Sequence, residues 1–234
     1  MAEAQVRRME MRVDDSSRSK LRGLDIAHIM FRNVQVLKTH PLVDEAIRAA
    51  SKDAGKRFGE GRALYEDPVL KGIRALFSQV GLDPTKERPS GEALIKRVLD
   101  GKGVYRINTV VDANNAVSIR TGAPCGVYDT DKFEGDAITF SVGGPGTNYD
   151  GIGGQKMNGD KRILTSDSAG IFGGPTADSK RTCITLDTKG VLMLIYFPSS
   201  ASRDVLMEAM KNAIGLMEKV TSGKAEYSEV FSIQ

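Results

Sequence analysis

The chain has 234 residues, 40% of them hydrophobic and 27% charged, with 6% aromatic and no Trp. That length fits one large domain or two small ones and can bury roughly 70% of the unfolded surface, and the ordinary charged fraction with clear apolar periodicity excludes a wholly disordered chain. Lys and Arg number 33 against 30 Asp and Glu, a net charge of +3 with pI near 8.8, which permits a nucleic-acid partner without the basic stripe or higher pI of a dedicated binder.

In chain order, residues 1–22 mix both charges with serines and few apolar side chains, which predicts a flexible N-terminal tail with no apolar stretch of signal-peptide type. Residues 23–234 are expected to form a single domain. The stretch Leu24 to Leu37, LDIAHIMFRNVQVL, predicts one or two strands. Pro41 then opens a helical stripe of Leu42, Val43, Ala46, Ile47 and Ala50. A second helix is signalled by Asp67 as cap, Pro68 in the first turn, the spacing of Val69, Leu70, Ile73, Leu76, Phe77 and Val80, and Gly81 as stop. A third follows Pro89 and Ser90, with Ala93, Leu94, Val98 and Leu99 on one face. Its surroundings, Lys86, Arg88, Lys96, Arg97, Lys102 and Arg106, are the most basic of the chain and read mainly as a solvated face.

The middle changes character. Strand-like runs at Ala137 to Val142, Arg162 to Thr165, Thr182 to Leu186 and Val191 to Phe197 alternate with glycine-rich turns. The glycines of residues 142–154 lack the strand-to-helix context of a phosphate loop and read as a mobile hairpin loop. Val191 to Phe197 is the longest purely apolar run, far short of the ~20 residues that cross a bilayer, so a soluble cytoplasmic protein without membrane contact is expected. A final helix is capped by Ser202 and carries Val205, Leu206, Ala209, Met210, Ala213, Ile214 and Met217. Helices around a β-rich middle predict a single α+β domain. Cys125 and Cys183 are unpaired in spacing, and with only His28 and His40 present neither a metal site nor a histidine triad is expected.

Polar residues concentrate in two places. From Tyr105 to Asp136, apolar residues interleave with Asn108, Asp112, Asn114, Asn115, Ser118 and Arg120. The three-residue spacing of Asp112, Asn115 and Ser118 places them along one helical face. Short polar groups turned inward must be hydrogen-bonded or cost ~1–3 kcal/mol each; caps and turn contacts account for Asp112 and Asn114. The second cluster is Ala177 to Thr188, where Arg181 is read either as a structural fork on Asp178 or as a holder of phosphate or carboxylate.

At these two clusters the chain resembles the tRNA-editing domain of the phenylalanyl-tRNA synthetase beta subunit, the B-three/B-four domain. Asn108, Val111, Asp112, Asn115 and Val117 follow its motif with a one-residue difference after the Asn, and the likeness continues through Gly122, Pro124 and Asp129 to the Asp131–Gly135 turn. The match is closer to free-standing proteins of that family. They share the lead-ins HPLVDEAIRA and LFSQVGLDPTKERPSGEALIKRVLDGKGVYRIN and the pattern of Asp178, Ser179, Arg181 and Thr182. The resemblance covers residues 38–220, with its motif core at 105–200.

The resemblance implies a β-sandwich-like mixed sheet core with N-terminal helices and a C-terminal helix, needing no cofactor. It implies a pocket for an amino acid joined to the 3′ end of tRNA, whose ester the synthetase domain hydrolyses when the amino acid is wrong, notably tyrosine. By position, Asn108, Asn115, Ser118 and the Pro124–Asp129 turn, including Gly126 and Asp129, would line it, bordered by Ile171 to Gly174. Arg106 or Arg181 would meet the terminal phosphate or the amino-acid carbonyl, with Asp178 and Thr182 beside Arg181. Gly126 stands where the synthetase motif has His, and no glutamate matches near Leu186. The expected activity is deacylation of misacylated tRNA in trans; the alternative is a non-catalytic module for tRNA or a free amino-acid-like ligand.

Overall fold

The computed structural model describes residues 8–59 and 63–234. In chain order these form β1 (Glu10–Val13), α1 (Arg18–Leu21), β2 (Leu24–Arg32), α2 (Pro41–Phe58), α3 (Ala63–Glu66), α4 (Pro68–Gln79), α5 (Ser90–Leu99) and α6 (Thr109–Thr121). There follow β3 (Cys125–Asp129), β4 (Ala137–Val142), β5 (Asn148–Asp150), β6 (Lys156–Asn158), β7 (Ile163–Asp167), β8 (Gly170–Gly173), β9 (Val191–Pro198), α7 (Arg203–Thr221) and β10 (Lys224–Ser232).

Strands β1-β4-β7-β8 form one four-stranded sheet, in which β1 and β4 run parallel and the other pairs antiparallel. Strands β10-β2-β9-β3 form a second, antiparallel throughout. Facing side chains join the two: Phe140 of β4 meets Tyr196 of β9 edge-on at 6.5 Å and stacks with Phe231 of β10 at 6.0 Å. Helices α6 and α7 pack on the second sheet. That sheet is therefore covered on both sides, which is why β9 reads as an unbroken apolar run, every residue of it buried. The expected sandwich-like α+β core is present. Val110, Val117, Leu192, Leu194 and Ile195 are buried in it, Ile119 is buried in a second apolar cluster with Ala50, Phe58 and Ile95, and Val111 is only partly covered.

The helix signals act as written. Asp67 Oδ1 accepts from the Val69 and Leu70 amides at 3.0 and 3.1 Å, and the chain leaves α4 through Gly81 at φ 89°. His40 Nδ1 accepts from the Leu42 amide at 3.2 Å to start α2. Ser202 precedes α7 without a side-chain cap bond.

Three expectations are corrected. Of the N-terminal tail, residues 1–7 lie outside the described residues, but Met9, Val13 and Leu21 are buried and β1 pairs along β4. Strand β1, four residues long, is too short to stand out among its charges. Thr182 to Leu186 is irregular: Thr185 to Asp187 are exposed, and apart from the bond from Asp129 N to the Thr182 carbonyl at 2.9 Å its backbone bonds are local, from Cys183 N to the Lys180 carbonyl and from Thr188 N to the Thr185 carbonyl. Pro124–Asp129 is mostly the strand β3, paired with β9 from Cys125↔Ile195 to Asp129↔Val191, rather than a turn. The glycine-rich stretch holds the β5–β6 hairpin. Among the described residues no helix is long and apolar enough to cross a membrane.

Candidate functional site

A cavity of about 560 Å³ opens between α5, α6, β3 and the segment 174–184. Ala93 and Leu94 of α5, Ile107, Val111, Val127 and Ile184 make its wall apolar. Exposed Tyr105, Ile107, Ile152 and Arg88 stand at its mouth, and the Arg97 guanidinium lies 3.9 Å from the Tyr105 ring centroid. Buried Asn114, Cys125 and Tyr128, with part-buried Asp178, form the inner end.

The local sequence sets this geometry. Asn108 caps α6, its Oδ1 accepting from the Val110 and Val111 amides at 3.1 and 2.9 Å. One turn in, the fully buried Asp112 accepts from the Ile107 amide and from Arg106 Nε, both at 2.9 Å, and so binds the incoming segment 105–107 to the helix. Arg106 also pairs with Asp44 of α2. The helix face left toward the cavity is then Val111, Asn114 and Asn115, spaced i, i+3 and i+4.

Opposite, the Tyr128 hydroxyl donates to Asp178 Oδ1 at 2.7 Å. Its ring fills the space beside two glycines. A Cβ at Gly126 would stand 2.2 Å from the Tyr128 oxygen, and one at Gly173 would stand 2.6 Å from that oxygen and 2.4 Å from Asp178 Oδ1. Behind it the Tyr196 and Thr165 hydroxyls share a 2.7 Å hydrogen bond. Burial pushes the Asp178 carboxyl up to about 7, against the opposing effect of the hydrogen bonds from Tyr128 and the Gly174 amide. Burial likewise raises Tyr128 and pushes the Cys125 thiol up to about 12, leaving it a neutral packing group. Among the described residues no Lys, Arg or His forms an ion pair with Asp178. Two further polar atoms of the lining, Asn114 Oδ1 and Thr176 Oγ1, are buried without a hydrogen-bond partner.

The B3/4 domain family matches residues 72–220, a span that contains every residue of this cavity. The chain belongs to that family. Among its relatives, YhzB of Bacillus subtilis is 19% identical over 215 residues, covering 92% of this chain and 96% of that protein. The phenylalanine–tRNA ligase beta subunit of Streptococcus agalactiae is 24% identical over 214 residues, covering 81% of this chain but 25% of the subunit. An N-terminal fragment of the Pyrococcus horikoshii phenylalanyl-tRNA synthetase beta subunit aligns over 98% of this chain and 56% of its own, with TM-score 0.49 and 13% identity. The chain thus spans about a quarter of the bacterial ligase subunit it matches and nearly all of the Bacillus protein.

Of the residues expected one by one from the sequence, Asn115 and Asp178 stand within the B3/4 cavity, joined by Cys125, Val127 and Tyr128 of the expected Pro124–Asp129 stretch and by Gly174 of the expected border. The others lie around it and hold its frame. Ser118 Oγ donates to the Ala123 carbonyl at 2.7 Å, and Asp129 accepts from Thr188 Oγ1 at 2.7 Å and from the Asp131 amide at 3.2 Å. Thr182 is fully buried under β3. Gly126 is the floor beneath Tyr128, while Asn108 and Arg106 act at the start of α6 as described. Arg181 forks onto Asp167, at 2.7 and 3.2 Å, instead of Asp178, and also donates to the Lys132 and Gly170 carbonyls. It borders a separate surface depression with Asn148, Asp150 and Lys156.

Tyr128 falls within the Pro124–Asp129 stretch expected to line the pocket, but sequence reasoning missed its bond to Asp178 and the cavity positions of Asn114, Thr176, Arg97 and Tyr105. The available signal was Tyr128 two positions after Gly126 on a strand: alternate residues share a face, so a glycine there leaves room for the neighbouring ring.

Proposed function

We propose that this B3/4 protein is a stand-alone aminoacyl-tRNA editing module that hydrolyses the ester of a misacylated tRNA in trans, in the cytoplasm. The observation that carries this reading is the pairing of an apolar cavity of about 560 Å³ with a mouth built from Arg88, Arg97 and an exposed Tyr105. The cavity suits an amino-acid side chain. The mouth suits a single-stranded nucleotide end, with arginines for phosphate and an aromatic face for a base. The basic stretch around α5, read from sequence as a solvated face, gains a partner in this arrangement.

Ester hydrolysis here requires a held water and a held carbonyl rather than a protein nucleophile, since orientation and local dipoles supply most of the acceleration. Asn115, on the cavity face of α6, is the side chain assigned to orient the ester.

Gly126 favours a second reading. Where the synthetase domain has His, this chain has no side chain, and Tyr128 occupies the room. A module that binds aminoacyl-tRNA or an amino-acid-like ligand without cleaving it fits that substitution. A panel of tRNAs, each carrying one non-cognate amino acid, separates the two. Accelerated release of at least one amino acid supports the deacylase, whereas protection of the ester by the bound protein supports the binding module.

A further inference from the structure

The inner end of the cavity is built to accept hydrogen atoms. Asp178 is a carboxylate whose contacts, the Tyr128 hydroxyl and the Gly174 amide, are both neutral donors, and no cation among the described residues pairs with it. Asn114 Oδ1 and Thr176 Oγ1, of the same lining, are buried and unpartnered, with Asn114 itself 5% exposed. A buried anion without a counter-cation is strongly unfavourable, and so is a buried acceptor without a donor. The wall around them, Leu94, Val111, Val127 and Ile184, offers no charge.

We infer that Asp178, with Asn114 and Thr176, forms a subsite for a primary ammonium group, so that the cavity takes amino-acid moieties whose α-nitrogen is free and rejects those whose α-nitrogen is acylated. One ammonium supplies three donors and one positive charge to a site that holds one carboxylate and two unpartnered polar atoms. The apolar wall then receives the side chain of an uncharged, non-polar amino acid. This inference rests on the reading of the cavity as an amino-acid site and adds the group that it grips.

The test needs no tRNA. Binding of L-phenylalanine amide and L-leucine amide to the full-length protein is measured by titration calorimetry, beside their N-acetylated forms. The free amines should bind more tightly by about tenfold or more, the scale of one hydrogen bond to a charged group. In Asp178→Asn, which still accepts from Tyr128, that preference should fall to near unity. Equal binding of free and N-acetylated amides by the wild-type protein, or binding of neither, overturns the subsite whatever the variant does. A variant that keeps the full preference also overturns it. If the preference is found while every mischarged tRNA stays intact, the deacylase reading fails and the subsite stands. If tRNAs are cleaved equally with free and N-acetylated amino acids, the subsite fails and the deacylase reading stands.

Discussion

Tyr128 and Asp178, 50 positions apart in the chain, are joined by a 2.7 Å hydrogen bond that two glycines, Gly126 and Gly173, make room for. The bond holds a part-buried carboxyl group with no ion-pair partner among the described residues, and this has a measurable consequence for stability.

The Asp178 carboxyl rises from about 3.8 in the unfolded chain to about 7 in the folded one, first through burial. Below about pH 4 both states hold the proton and the site imposes no ionic penalty. Between there and pH 7 the folded state keeps a proton that the unfolded state has released, so stability falls as pH rises, and above 7 the penalty is complete. Asp178→Asn removes the charge and keeps the acceptor. Its melting temperature should exceed the wild-type value by a margin that grows from about pH 4 to pH 8. A margin independent of pH would show that Asp178 is not a strained buried carboxylate.

Arg181→Ala should act through the frame. The Asp167 side chain is fully buried and takes both arms of the guanidinium, so removing Arg181 strands a charge at a cost of about 3–5 kcal/mol. Asp167→Asn in the same chain should recover part of that loss. Denaturant melts of the two variants check it. A single variant that stays as stable as wild type, yet loses function, would return Arg181 to the site.

Gly126→Ala places a methyl group 2.2 Å from the Tyr128 oxygen. Overpacking of this kind costs about 1–3 kcal/mol. The loss should shrink when Tyr128→Leu is introduced as well, with a coupling of about 0.5 kcal/mol or more in a double-mutant cycle. Additive losses would mean that the ring does not occupy the room above Gly126.

With a net charge of +3 and arginines at the mouth, affinity for tRNA should be weak and salt-sensitive. On single-stranded ends the slope of log affinity against log salt is about −0.7 per phosphate contact, and nearer −0.9 on duplex. Arg97→Ala should reduce that slope by about one contact. Affinity unchanged between low and moderate salt would contradict a phosphate-reading mouth and favour a free ligand.

Much of the fold is legible in the sequence because the signals are local. Asp67, Pro68 and Gly81 fix α4, and the alternation and runs of β4 and β9 mark strands. β1 escapes because a four-residue strand among charges has no periodicity to count. The site is legible only by neighbourhood. The stripe of Asp112, Asn115 and Ser118 lies on α6 as expected, but Asp112 and Ser118 turn to nearby backbone or to Arg106, and only Asn115 of the three lines the cavity. Arg181 lies near Asp178 in sequence, yet the β7–β8 turn brings Asp167 to it. Partner choice across strands depends on register, which residue types alone do not encode.

The most direct test of the account is deacylation in trans by wild type and Asn115→Ala over a panel of mischarged tRNAs. Asn115 lines the cavity and sits at the surface of the core, so its truncation should leave the melting temperature within a few degrees of wild type. The account predicts that the wild-type protein releases at least one non-polar amino acid from tRNA and that the variant, still folded, releases it at least about tenfold more slowly, as expected for loss of an orienting group. Deacylation that survives Asn115→Ala unchanged would contradict the assignment of this cavity as the place where the ester is cleaved.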